Sequence, residues 1–181
     1  MRRLILLLVL PLAACWEGDS FYTASDSRPA LPPGAYRAVP ADKPSEAKSV
    51  QVSMLPNGMT SMVGDGGNNA VGFAPLGGSF FTMWFQHSDG GREALYALFQ
   101  ADRGHYRLIV PFCERTAAIA SAAGAQIVKD PKMTTCRFQT RAQLEDGLRH
   151  LEGRQQDVVD FIPTGANNPA GSRAGATRQR S

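Results

Sequence analysis

Histidine is the side chain whose ordinary pKa suits proton transfer and metal binding near neutral pH, and the sequence contains three of them. His87, His105 and His150 are far apart, and none has a second histidine at the spacing of a common metal motif. A zinc centre needs ligands that converge on one point, and the sequence does not group them. We interpret the three histidines as surface residues and predict neither a metal nor a cofactor.

Motifs for nucleophilic catalysis are equally weak. The chain lacks the G-x-S-x-G turn that exposes a serine nucleophile. Its acids, among them Glu93, Asp102 and Glu114, show no spacing that brings two carboxylates within the roughly 5–10 Å of a glycosidase pair. A catalytic triad can assemble from distant residues, so a hydrolase whose residues converge only in three dimensions is kept as the alternative function. No catalytic residue is assigned.

The first sixteen residues contain the parts of a bacterial export signal. Arg2 and Arg3 precede an apolar run, Leu4–Ala14, which is shorter than the about 20 residues that span a bilayer as a helix. The run ends in Leu-Ala-Ala-Cys at residues 12–15, which resembles the lipobox of bacterial lipoproteins. This resemblance implies removal of residues 1–14 as a signal peptide and lipidation of Cys15.

The lipobox resemblance also implies where the protein resides. Trp16 stands where many inner-membrane lipoproteins carry Asp, which favours the inner leaflet of the outer membrane, facing the periplasm. Residues 15–33 are then expected to form the lipidated N-terminus and a flexible tether. Without Arg2 and Arg3, 17 basic residues face 16 acidic ones, and this net charge of +1 gives no reason to predict a nucleic-acid partner. The expected partners are the bilayer, through Cys15, and an envelope protein, peptidoglycan or a lipid.

Lipidation of Cys15 leaves two cysteines, Cys113 and Cys136. An oxidising envelope permits a disulfide between them. The alternatives are a metal pair or a reactive thiol, but neither cysteine has a neighbouring ligand at the right spacing. We predict a disulfide at a pair of adjacent strands or at a strand–helix junction.

The elements that would hold these residues begin with a series of hairpins. Alternating apolar residues and turns such as Asn57-Gly58 indicate consecutive antiparallel strands. Strands are predicted at residues 35–39, 50–54, 59–63, 70–74, 79–86, 93–100 and 105–112. The strand at 79–86 has no polar face, so we expect cover on both sides. Its alternative role is an apolar groove for a lipid, a peptide or a partner's strand, with Trp84 and Tyr96 as the candidate binding surface.

The C-terminal part has a different pattern. A short helix is predicted at 116–123, strands at 126–129 and 133–139, and a second helix that begins with a capping box at Thr140 and Gln143. Residues 158–162 are predicted to add a last apolar turn, and residues 163–181 to form a disordered basic tail.

Together these elements predict one α+β domain at residues 34–162. Its antiparallel sheet has about six to eight strands in a hairpin meander, with a small barrel as the alternative, and two short C-terminal helices pack on it. The predicted function is that of a membrane-anchored envelope lipoprotein that acts as a non-catalytic binding or assembly module.

Overall fold

The computed structural model describes residues 16–65, 67–86, 93–131, 133–154 and 157–165. Cys15, His87 and residues 166–181 lie outside this part of the chain, and so do the predictions that concern them. The strands are β1 Trp16–Asp19, β2 Gly34–Pro40, β3 Lys48–Met54, β4 Thr60–Gly64, β5 Gly67–Gly77, β6 Phe80–Gln86, β7 Glu93–Asp102, β8 His105–Ile109, β9 Gln126–Lys129, β10 Thr134–Phe138 and β11 Val158–Pro163. The α-helices are α1 Cys113–Ala122 and α2 Arg141–Arg149.

Eight of these strands close into an antiparallel barrel. Strands β2 to β8 pair in chain order, and β11 pairs with both β8 and β2, which completes the ring. Each hairpin joins neighbours in the sequence, as the turn residues predict. The predicted α+β class with a barrel-like antiparallel sheet is therefore confirmed.

A second unit, which we call the annex, extends the sheet beyond the barrel. It consists of β1, β9 and β10 with helices α1 and α2. Strand β1 pairs antiparallel with the part of β7 that β8 leaves free, and parallel with β10, which pairs with β9. Among the described residues, neither helix is long or apolar enough to cross a membrane.

The segment that connects β1 to β2, residues 20–33, starts on the outside of the barrel and ends in the core inside it, and we call it the strap. Phe21 stacks on Tyr96 with ring centroids 5.7 Å apart. The Arg28 amide donates to the Phe73 carbonyl at 2.8 Å, and Leu31 is fully buried with the barrel core. The tether predicted for residues 15–33 is thus wrong from Trp16 onward, because its aromatic residues are buried against the sheet. The fold already includes Trp16 in β1 and does not start at Gly34.

The aromatic strand β6 separates two hydrophobic cores. Phe81, Met83 and Phe85 pack with the core inside the barrel. Phe80 and Trp84 belong to the core between barrel, strap and annex. The prediction that both faces of this strand are covered is confirmed. The neighbouring strand β7 is buried along most of its length because it lies between the same two cores.

The disulfide joins Cys113, the first residue of α1, to Cys136 in β10, with the two Cα atoms 5.3 Å apart. Both cysteines are fully buried in the core between barrel, strap and annex. The predicted pairing at a strand–helix junction is confirmed. The bond fixes the start of α1 on the sheet that the helix covers.

Three predictions near the C-terminus need correction. Residues 158–163 form the strand that closes the barrel. Val158 packs in the core between barrel, strap and annex, and Phe161 packs in the core inside the barrel. The predicted tail starts too early, since the Thr164 amide still donates to the Ala35 carbonyl. The capping box is partial. Thr140 Oγ1 accepts from the Gln143 amide, but the Gln143 side chain accepts from the amide of residue 139 rather than from that of Thr140.

Candidate functional site

The candidate binding surface of Trp84 and Tyr96 is wrong, because each side chain is only 1% exposed. The strap covers both rings, with Tyr22 stacked on Trp84 at 5.1 Å. The Tyr96 hydroxyl donates to the Asp19 carbonyl and accepts from the Phe21 amide. Burial raises the pKa of Tyr96 to about 12, so the hydroxyl stays protonated and donates. These residues attach the strap to the barrel.

The inside of the barrel is a packed apolar core. Phe73 and Phe99 are fully buried there, with ring centroids 4.8 Å apart. A ring of eight strands has an interior that side chains can just fill, and here large apolar residues fill it. Ala30 and Leu31 from the strap belong to the same core.

The structure does provide a cleft at one mouth of the barrel, with a volume of about 1380 Å³. The start of β2, the β7–β8 hairpin and the end of β11 form its walls. We call it the mouth cleft. Its described lining residues are Pro32, Pro33, Gly34, Ala35, Tyr36, Gln100, Asp102, Arg103, Gly104, His105, Tyr106, Arg107, Asp160, Phe161, Ile162, Pro163 and Gly165.

The β7–β8 hairpin brings charged groups to the mouth cleft. Arg103 and Gly104 have φ angles of 45° and 88°, which is the geometry of a tight turn with positive φ at both central residues. This turn places Asp102 opposite His105, and both Arg103 and His105 are exposed. The sequence signal was the turn itself, because a short hairpin loop presents its flanking side chains to solvent.

Two tyrosines form the aromatic part of the wall. Tyr36 on β2 and Tyr106 on β8 meet edge to face, with centroids 5.9 Å apart. The Tyr36 hydroxyl donates to the Pro32 carbonyl at 2.8 Å, which holds the end of the strap against the barrel. Burial raises the pKa of Tyr36. Tyr106 is only partly buried and also lines the cleft.

The outer wall combines an ion pair with an apolar side chain. Arg107 on β8 donates to Asp160 on β11 at 2.8 Å, and both side chains are about one-third exposed. Ile162, two residues further along β11, is 44% exposed and lies opposite Arg37 of β2. Sequence reasoning missed this wall because it interpreted residues 158–162 as a turn.

The described side chains of the mouth cleft offer interactions that serve recognition. Its described lining residues include no serine, threonine or cysteine that could act as a nucleophile. Nowhere in the described ranges do three or more His, Cys, Asp or Glu side chains group around a metal position. His105 and His150 are both exposed, as predicted. Stacking, apolar contact and charge pairing are the interactions that this surface offers.

Comparisons with known proteins give no relative from which a function could be transferred. No family model matches the chain, and neither the curated proteins nor the solved structures contain a match.

Proposed function

We propose that the protein is an envelope lipoprotein, anchored through Cys15 on the periplasmic side of the outer membrane, whose barrel binds a partner protein at the mouth cleft. The lipobox at residues 12–15 supports the anchor. The mouth cleft supports the binding role and carries the proposal, since its roughly 1380 Å³ exceeds the range of about 300–1,000 Å³ that encloses a small molecule. An open cleft of this size suits a protein segment.

The location is tested by the fate of Cys15. In the native bacterium, the wild-type chain should carry a diacylglyceryl group on an N-terminal Cys15, as measured by mass spectrometry, and should sediment with outer membranes. The Cys15→Ala variant should lose the lipid and leave the membrane fraction. An intact leader in the mature protein, or equal recovery of both forms in the soluble periplasm, would contradict the anchor.

The binding role is tested with a photo-crosslinking amino acid at His105, which is exposed and lines the cleft. We expect a discrete adduct in intact cells that disappears in the Ile162→Glu variant. Val63→Glu is the matched control, because Val63 is 43% exposed against 44% for Ile162, and it lies on β4, outside the described cleft lining. Failure to form an adduct, or an adduct that both variants remove equally, would refute binding at the cleft.

A further inference from the structure

The residue that follows the proposed lipid anchor is already part of the sheet. Trp16 is fully buried, and its backbone lies in register with Cys136 on one side and Tyr96 on the other. Its indole Nε1 donates to Thr116 Oγ1 at 2.8 Å. Strand β10 of the annex and strand β7 of the barrel therefore hold the Trp16 backbone on its two sides, and helix α1 holds its ring.

The fixed position of Trp16 limits how the domain can be oriented relative to a lipid on Cys15. Consecutive Cα atoms are about 3.8 Å apart, so Cys15 lies within that distance of a residue that cannot move independently of the annex. A lipid on Cys15 would thus be attached to the annex without a spacer. A flexible tether would let the domain tumble above the bilayer, whereas this attachment holds one side of the annex next to the lipid headgroups.

Strand β9 is the outermost strand of the annex sheet. It lies two strands from β1, which is about 10 Å at the usual strand spacing. Val128 in this strand is 40% exposed, one of few large apolar side chains that are open to solvent among the described residues. Lys129 follows it and is exposed. The next carboxylate, Asp130, accepts a hydrogen bond from the Met133 amide at 3.0 Å.

We infer that the outer edge of β9, with Val128 on one face of the sheet and Lys129 on the other, is a bilayer-contact surface, and this inference rests on the lipidation of Cys15 proposed above. The occupant is the membrane surface, because the anchored end of the chain lies within two strands of it. Val128 would enter the interfacial region, and Lys129 would approach anionic headgroups. The mouth cleft remains available to its partner because β9 is outside the barrel.

The surface is tested with a single environment-sensitive fluorophore on the full-length acylated protein. Cys15 carries the lipid and the other two cysteines are bonded, so Val128→Cys introduces a single free thiol. Ser53→Cys is the control. Ser53 is also exposed, and β3 lies on the far side of the barrel from β7, to which the annex is joined. Each labelled protein is reconstituted in phosphatidylethanolamine–phosphatidylglycerol vesicles that contain nitroxide-labelled headgroups.

We expect a blue-shifted and strongly quenched emission from position 128, and neither change at position 53. Equal quenching at the two positions, on protein shown by mass spectrometry to be acylated, would overturn the bilayer-contact surface and leave the anchor intact. A native protein without the acyl groups would overturn the anchor and, with it, the inference. A second copy of the chain seated on β9 would instead protect position 128 from the nitroxide at every vesicle concentration, which would also overturn it.

Discussion

The barrel and the annex are built from one continuous sheet, but they are assembled in opposite ways. Seven barrel strands follow one another in hairpins, so each strand pairs with its neighbour in the sequence. In the annex, β1 pairs with strands that are more than 70 residues away, at Tyr96 and Cys136. Pairings between distant residues require closure of long loops before they contribute stability. The annex therefore depends more on additional links than the seven consecutive barrel strands do, although β11 closes the barrel by a distant pairing as well.

Three such links are present in the structure. The disulfide fastens α1 to β10, the Trp16 ring fills the space between β1 and the helices, and the strap fastens the annex to the barrel through Tyr22 and Trp84. If this comparison is correct, weakening a link should destabilise the annex before the barrel. The predictions below test each link, beginning with the largest expected effect.

Replacement of both bonded cysteines by alanine should destabilise the annex by about 3 kcal/mol, the value expected from chain entropy for a closed loop of this size. The 23-residue separation spans only α1, β9 and the start of β10, so the entropy is released there. Urea titration followed by amide hydrogen exchange should show annex amides opening before those of β7 and β8. A single transition in which both sets of amides exchange together would contradict a separable annex.

The barrel and the annex also differ in how much of each could be predicted from the sequence. The hairpins and the two-sided burial of β6 were predictable, because alternation and turn residues act over a few positions. The roles of Trp16 and Tyr22 were not predictable. Single aromatic residues in a polar stretch resemble part of a linker until their distant partners are known. For the same reason Val158 and Phe161 were assigned to a turn, although they close the barrel against β2 and β8.

The candidate site shows the same limit. The turn at Arg103 and Gly104 was predictable as a turn, but nothing in the sequence indicates that it lies beside Tyr36 and Ile162. These residues come together only because β11 closes the ring. Conversely, the aromatic character of Trp84 and Tyr96 suggested a binding surface, whereas the strap uses it as an internal contact.

The contact between strap and barrel can be tested at Gly72, where Trp84 leaves no room for a side chain. A Cβ atom at this position would lie 2.1 Å from Cζ2 of Trp84. The Gly72→Ala variant should therefore lose about 1–3 kcal/mol of unfolding free energy through overpacking, together with the near-ultraviolet circular dichroism of the Tyr22–Trp84 stack.

Gly165→Ala provides the control for that substitution. An added Cβ there meets nothing within 4 Å, so the change in unfolding free energy should stay within about 0.5 kcal/mol. Equal unfolding free energies for the two alanine variants would contradict a destabilising clash between position 72 and Trp84.

The smallest effect concerns the polar link between strap and α2. The Tyr22 hydroxyl donates to Glu145 Oε1 at 2.9 Å, and Arg141 bonds the same carboxylate while its guanidinium lies 4.3 Å from the centre of the Tyr22 ring. Burial alone would raise the pKa of Glu145, but the hydrogen bonds from Arg141 and Tyr22 outweigh it and hold the pKa below its ordinary value of 4.5. The charged carboxylate is thus favoured by the folded state.

Glu145→Gln should cost about 1 kcal/mol at pH 7, the usual size for a partly exposed ion pair. Because the folded-state pKa is depressed, the wild type has this stabilisation above pH 4.5 and loses it as the pH falls through the folded pKa. The two proteins should therefore converge in urea-unfolding free energy at acidic pH. Asp146→Asn, an exposed position on the same helix, should show a smaller difference at pH 7. A Glu145→Gln deficit that is the same at neutral and acidic pH would mean that packing, rather than charge, holds the strap to α2.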